Sequence, residues 1–149
     1  MVVAVGGLPC NCGRRGCLEA YASATGMIRL ATMALEDGED SVLRGKMAAN
    51  GGKLTAKMVC DACDGGDKVA ARVFQDYCMY LGSGLASLVN ILQPEIIIIG
   101  GGVAGYGEKL LQPLREIVAK ESFKGVSRSA EIVRAALGND AGLIGAAML

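Results

Sequence analysis

Asn90-Ile91-Leu92-Gln93-Pro94-Glu95-Ile96-Ile97-Ile98-Ile99-Gly100-Gly101-Gly102 is the stretch on which the fold turns. Pro94 ends any helix that precedes it. Residues 96–99 form an unbroken β-branched run, the pattern of a strand buried on both faces. Three glycines follow at once. Toward the amino terminus, Asp67 is placed to cap a long helix. Val69, Val73, Tyr77, Tyr80, Leu81, Leu85, Leu88 and Leu92 recur there at steps of three and four, which makes one apolar stripe. Toward the carboxyl terminus, residues 108–120 read as a helix and residues 130–136 as a second strand. Asn139-Asp140 caps a final helix over residues 141–149. Strand, helix, strand, helix is an α/β unit with a right-handed crossover.

The first half is less regular. Residues 1–5 read as a short Val-rich strand. Residues 6–16 are a loop punctuated by Gly6, Gly7, Pro9 and Gly13. Residues 18–35 read as a helix broken near Gly26. Residues 36–40 form an acidic, solvated turn. Thr55 caps a helix that runs through Cys63 and stops at Gly65-Gly66. There is no internal repeat and no linker, so one domain is expected from the 149 residues.

Composition narrows the function. Lys and Arg number 15, and so do Asp and Glu, giving a formal net charge of zero. With no basic surplus, nucleic acid is not an expected partner. Apolar residues make up 52% of the chain, enough for a real core. The longest uncharged stretch, residues 77–94, contains Ser83, Ser87, Asn90 and Gln93, so no membrane span is expected. Residues 1–5 do not read as a basic, apolar leader, and a cytoplasmic, reducing setting is expected. Histidine is absent. That excludes Ser–His, Cys–His and His–metal arrangements built from this chain alone.

Chemistry concentrates in Cys10-Asn11-Cys12-Gly13-Arg14-Arg15-Gly16-Cys17-Leu18-Glu19. Three thiolates on a Gly-rich loop can close round one zinc ion, and zinc is the expected cofactor of this loop, residues 6–17. Tetrahedral zinc takes four ligands. The fourth is left open among Cys60, Cys63, Cys78, a residue before Met1 and water. Metal ligation would replace the core that so short a loop lacks. Glu19 follows at a helix start, where the dipole alone favours an acid. It is also placed to accept hydrogen bonds from a polar ligand. Residues 96–102 end a strand on three glycines, at the edge where open α/β sheets bind ligands. The run fits neither the dinucleotide nor the Walker pattern, and a nucleotide seat and a plain tight turn stand equal. Cys60-Asp61-Ala62-Cys63 has redox spacing but lies within a helix, so packing is the better reading. Arg14-Arg15 reads as a solvated loop tip, with an electrostatic partner for a bound anion or carboxylate as the alternative.

Cys10 to Glu19, followed by Ala20-Tyr21-Ala22-Ser23, resembles the ROK family of sugar kinases and sugar-responsive repressors. Residues 90–102 and 138–147 resemble the same family's nucleotide-proximal strand with its Gly turn and its carboxyl-terminal segment. The resemblance implies part of an actin-like, ribonuclease-H-like ATPase fold, helix-rich with a small sheet and a zinc loop. It implies zinc on Cys10, Cys12 and Cys17, a hexose such as glucose hydrogen-bonded by Glu19, and ATP near Gly100, Gly101 and Gly102, with magnesium. It also implies a homo-oligomer. The family's phosphate loop and catalytic Asp segment have no counterpart in these residues, so no catalytic residue is assigned. The expectation that follows is a carboxyl-terminal portion of a glucokinase-like enzyme, its first half absent and the chain inactive alone. The alternative is the sugar-sensing domain of a ROK repressor.

Overall fold

The computed structural model describes residues 1–124, 130–138 and 141–148. The elements in chain order are α1 (Leu18–Ala22), α2 (Ala24–Glu36), α3 (Leu43–Ala49), α4 (Ala56–Asp64), α5 (Lys68–Leu92), β1 (Ile96–Ile99), a 3₁₀ turn (Gly102–Tyr106), α6 (Glu108–Glu121), β2 (Glu131–Arg134) and α7 (Ala141–Ala147). They fall into two units, Met1–Leu85 and Ala86–Leu149, divided within α5. Among the described residues no helix is long and apolar enough to cross a membrane.

The first unit is helical. Its core is centred on Met27, Ala31, Leu43, Val59, Ala70 and Val73, each nearly or fully buried. α2 packs on α1 and on α4, and α4 on α3. The expected break at Gly26 is corrected to Ser23, which separates α1 from α2. The Ser23 hydroxyl accepts the Gly26 N–H at 2.9 Å, a side-chain cap. Gly26 serves close packing, because a Cβ there would lie 2.7 Å from the Tyr21 carbonyl carbon. The expected strand over residues 1–5 is also corrected. Val2 makes a single antiparallel bridge to Cys17, and Val5 is 99% exposed. The Val3 and Ala4 amides both donate to one carbonyl, that of Gly16, so no ladder can extend.

Asp67 caps α5 as expected and reaches further than its own helix. Its Oδ1 accepts the Ala70 N–H at 2.8 Å. Its Oδ2 accepts the Val42 N–H at 2.8 Å and the Ser41 hydroxyl at 2.9 Å. The entry to α3, whose residue Val42 has no capping side chain, is thus held by an acid 25 positions away. Burial pushes the Asp67 carboxyl up, but the bonds from Ala70, Val42 and Ser41 outweigh it and hold it below its ordinary value. A depressed carboxyl stabilises fully above its unfolded pKa of ~3.9 and loses that contribution as pH falls through the folded value. Asp67→Ala is therefore expected to cost about 2 kcal/mol near neutral pH. The gap to wild type should close in acid, as urea titrations at a series of pH values would record.

The second unit is α/β. β1 and β2 are parallel, with Ile97 opposite Ile132 and Ile99 opposite Arg134. α6 lies in the connection between them and packs on β2. Leu110, Leu111, Leu114 and Val118 bury the face of α6, and Ile132 is 2% exposed. Arg115 ties α6 to the sheet: its Nε and Nη2 donate to the Ile132 carbonyl, and its Nη1 pairs with Glu108 at 2.6 Å. The expectation that residues 96–99 are buried on both faces is corrected. Ile96 and Ile98 are 49% and 61% exposed. Four β-branched residues specify a strand, but burial depends on what covers it, and α6 packs on β2. The expected Asn139-Asp140 cap lies outside the described residues.

Candidate functional site

The cysteine loop folds back on itself as a narrow finger. The Cys10 amide donates to the Arg14 carbonyl at 2.9 Å, the Gly13 amide to Cys10, and the Gly16 amide to Leu8 at 2.8 Å. Gly16 sits at φ +75°, and a Cβ there would fall 1.6 Å from the Ala4 carbonyl oxygen, so both conformation and space demand glycine. The finger brings Cys10 and Cys12 back over Cys17. Their sulfurs lie within 4.8 Å of one another, and Cys12 Sγ to Cys17 Sγ is 3.5 Å. Thiolates bound tetrahedrally at ~2.3 Å stand ~3.8 Å apart, so the three sulfurs fit one zinc ion.

Electrostatics favour the thiolate at Cys12 and disfavour it at Cys10. Arg14 donates to the Cys12 sulfur and, with its backbone, lowers that thiol to about 6. The Cys12 amide also lowers Cys10. Its hydrogen bonds with the Cys12, Cys17 and Glu19 side chains and its loss of water prevail, and Cys10 sits at about 11. Cys10 Sγ donates to Glu19 Oε2 at 3.4 Å. Cys10, Cys12, Cys17, Arg14 and Glu19 line one hollow of about 380 Å³, together with Met1 and Asn11. The group that could hold a metal ion among the described residues comprises Cys10, Cys12 and Cys17. Cys60, Cys63 and Cys78, the three fourth-ligand candidates from this chain, lie outside it. Burial pushes Cys60 up to about 11 and Cys78 to about 12, opposite to a redox thiol.

The glycine turn forms a second hollow, of about 170 Å³, within the second unit. Gly100, Gly101, Gly102 and Gly105 line it with Arg134, Ala135 and Gly138. It lies at the carboxyl ends of both strands, where the Ala135 amide donates to the Ile99 carbonyl at 2.9 Å. No α-helix starts directly after the glycines. The 3₁₀ turn intervenes, and α6 begins only at Glu108. Sequence reasoning did not single out Arg134, because its approach to the glycines follows from strand pairing.

The whole chain, residues 1–149, matches the ROK family. The chain belongs to that family. It is 44% identical over 148 residues to a glucokinase of Halalkalibacterium halodurans, covering 99% of this chain and 44% of that protein. It is 38% identical over 149 residues to a glucokinase of Thermotoga maritima, covering 100% of this chain and 47% of that protein. The crystal structure of a ROK family glucokinase from Streptomyces griseus, in complex with glucose and AMPPNP, superposes with a TM-score of 0.84 at 33% identity. That likeness covers 99% of this chain and 48% of the other. The helix-rich arrangement with a small parallel sheet is consistent with the actin-like fold of the family. The chain spans about half the length of the relatives it matches.

These findings correct one expectation. The expectation took the chain for a carboxyl-terminal portion of a glucokinase-like enzyme, its first half absent and inactive alone. The ROK match extends over every residue of the chain, and the reading as an inactive portion is withdrawn.

Proposed function

We propose that this ROK protein serves the ATP-dependent phosphorylation of a hexose, with glucose the first candidate. The observation that supports it most is the convergence of Glu19 and the three thiols on one hollow. A carboxylate accepts two hydrogen bonds from neighbouring sugar hydroxyls, and charge-assisted bonds of this kind are the strong ones. In this reading Cys10, Cys12 and Cys17 hold zinc, which when bound fixes the loop and supplies no step of the reaction. Glu19, two residues beyond Cys17, then meets the sugar in a defined place. Gly100, Gly101 and Gly102 leave the backbone bare, and a magnesium-bound ATP contacts them. Glucokinases among the relatives support the choice of sugar and nucleotide. A cytoplasmic homo-oligomer completes the proposal. Exposed apolar residues, among them Ile98 at 61% and Phe123 at 68%, support self-association.

The test is glucose-dependent turnover of ATP by the protein carrying this chain, with hexose 6-phosphate measured directly. Glu19→Gln removes the charge and keeps the shape. A charge-assisted bond of about 1.5–3 kcal/mol predicts a ~10- to 100-fold rise in the KM for glucose, with the KM for ATP unmoved. Phosphorylation that is indifferent to Glu19, or ATP turnover that glucose does not stimulate, contradicts the assignment.

A further inference from the structure

Helix α1 carries Glu19 but is only five residues long, and Cys17 at its start provides no side-chain cap. So short a helix cannot set its own direction. Tyr21, two residues after Glu19, provides an anchor. It is 5% exposed, and its hydroxyl accepts the Leu8 N–H at 2.6 Å. Leu8 is held from its other side as well, since its carbonyl accepts the Gly16 amide. The fit leaves no slack, because a Cβ on Gly7 would lie 2.0 Å from the Tyr21 hydroxyl. The Tyr21 ring packs on Tyr80 with centroids 4.2 Å apart, which fixes it against α5.

Leu8 lies two residues before Cys10, and Gly16 one before Cys17. The Tyr21 hydroxyl therefore grips the finger where its two limbs meet, and the same side chain belongs to the helix that bears Glu19. We propose that Tyr21 is a positioning residue for the metal centre: its hydroxyl holds the Cys10–Cys12 limb over Cys17 and thereby sets metal affinity. The inference rests on the zinc reading of the loop. Groups that orient metal ligands without touching the metal typically change affinity ~10- to 100-fold when removed. Tyr21→Phe keeps the ring and its stacking on Tyr80 and deletes only the acceptor.

Cobalt(II), whose bonds to thiolate absorb in the near ultraviolet, is the probe, titrated into the full chain and then displaced with zinc. Tyr80→Leu is the control, since it removes the ring contact and leaves the Leu8 bond. The expected result is that Tyr21→Phe binds cobalt ~10- to 100-fold more weakly, while Tyr80→Leu binds as wild type despite a lower melting temperature. Equal affinity of Tyr21→Phe and wild type overturns the proposal. So does an equal loss in both variants, which would mean that general loosening sets the affinity. A wild-type protein with no cobalt–thiolate band removes the zinc reading itself, and this inference with it.

Discussion

Cys17→Ser should lose zinc affinity by about two to three orders of magnitude, with a fall in melting temperature. Cys17 is the buried member of the proposed metal cluster, 4% exposed, and its sulfur lies 3.5 Å from that of Cys12. A serine oxygen is a poor zinc ligand and stops short of the position the sulfur occupies. Structural zinc contributes about 10–16 kcal/mol in small domains, shared over four ligands. Each ligand therefore accounts for about 2.5–4 kcal/mol, or roughly 10²- to 10³-fold in affinity. Cys17 also pairs through its backbone with Val2, so the loosened loop should fray residues 1–5. Competition with a coloured chelator measures the affinity. Cys63→Ser, outside the cluster, should bind zinc as wild type. Equal affinity of Cys17→Ser and wild type would remove Cys17 from the metal site.

Gly16→Ala should be nearly as severe, and for a reason that metal chemistry does not enter. The added Cβ falls 1.6 Å from the Ala4 carbonyl oxygen at a φ of +75°. Backbone must move, and the bonds of Val3 and Ala4 to the Gly16 carbonyl break with it. Strain and overpacking each cost about 1–3 kcal/mol, so a loss of about 3 kcal/mol is expected, together with metal uptake. Gly13→Ala is the informative comparison. Its φ is +84°, but a Cβ there meets nothing within 4 Å. The conformational penalty of about 1–2 kcal/mol is then all that remains. Urea midpoints of the two variants separate the cases; identical midpoints would mean that the Ala4 contact is not present in solution.

What the sequence disclosed follows from the range of the forces involved. Cys10, Cys12 and Cys17 were legible because metal ligation demands one residue type at short spacing. The α5 stripe and its Asp67 cap were legible because both are local patterns. The exposure of Ile96 and Ile98 was not, since burial depends on distant segments. The start of α3 was hidden because the group that holds Val42 is the carboxylate of Asp67. Gly26 misled because glycine breaks helices and also permits close packing; here the Tyr21 carbonyl decides. The anchoring contact of Tyr21 gave no signal, as its bond to Leu8 joins positions 13 residues apart across the loop. The sugar and nucleotide roles proposed for Glu19 and Gly100–Gly102 come from the resemblance rather than from local chemistry, where a helix-start acid and a tight turn served as well.

The claim on which the rest depends is that the finger of residues 6–17 is a metal site. Elemental analysis of the full chain, carrying no affinity tag and purified without added metal or chelator, tests it most directly. About one zinc per chain, lost on Cys17→Ser and retained on Cys63→Ser, is the predicted result. Protein that is folded by circular dichroism and contains no zinc, and that takes up none on dialysis against the ion, contradicts it.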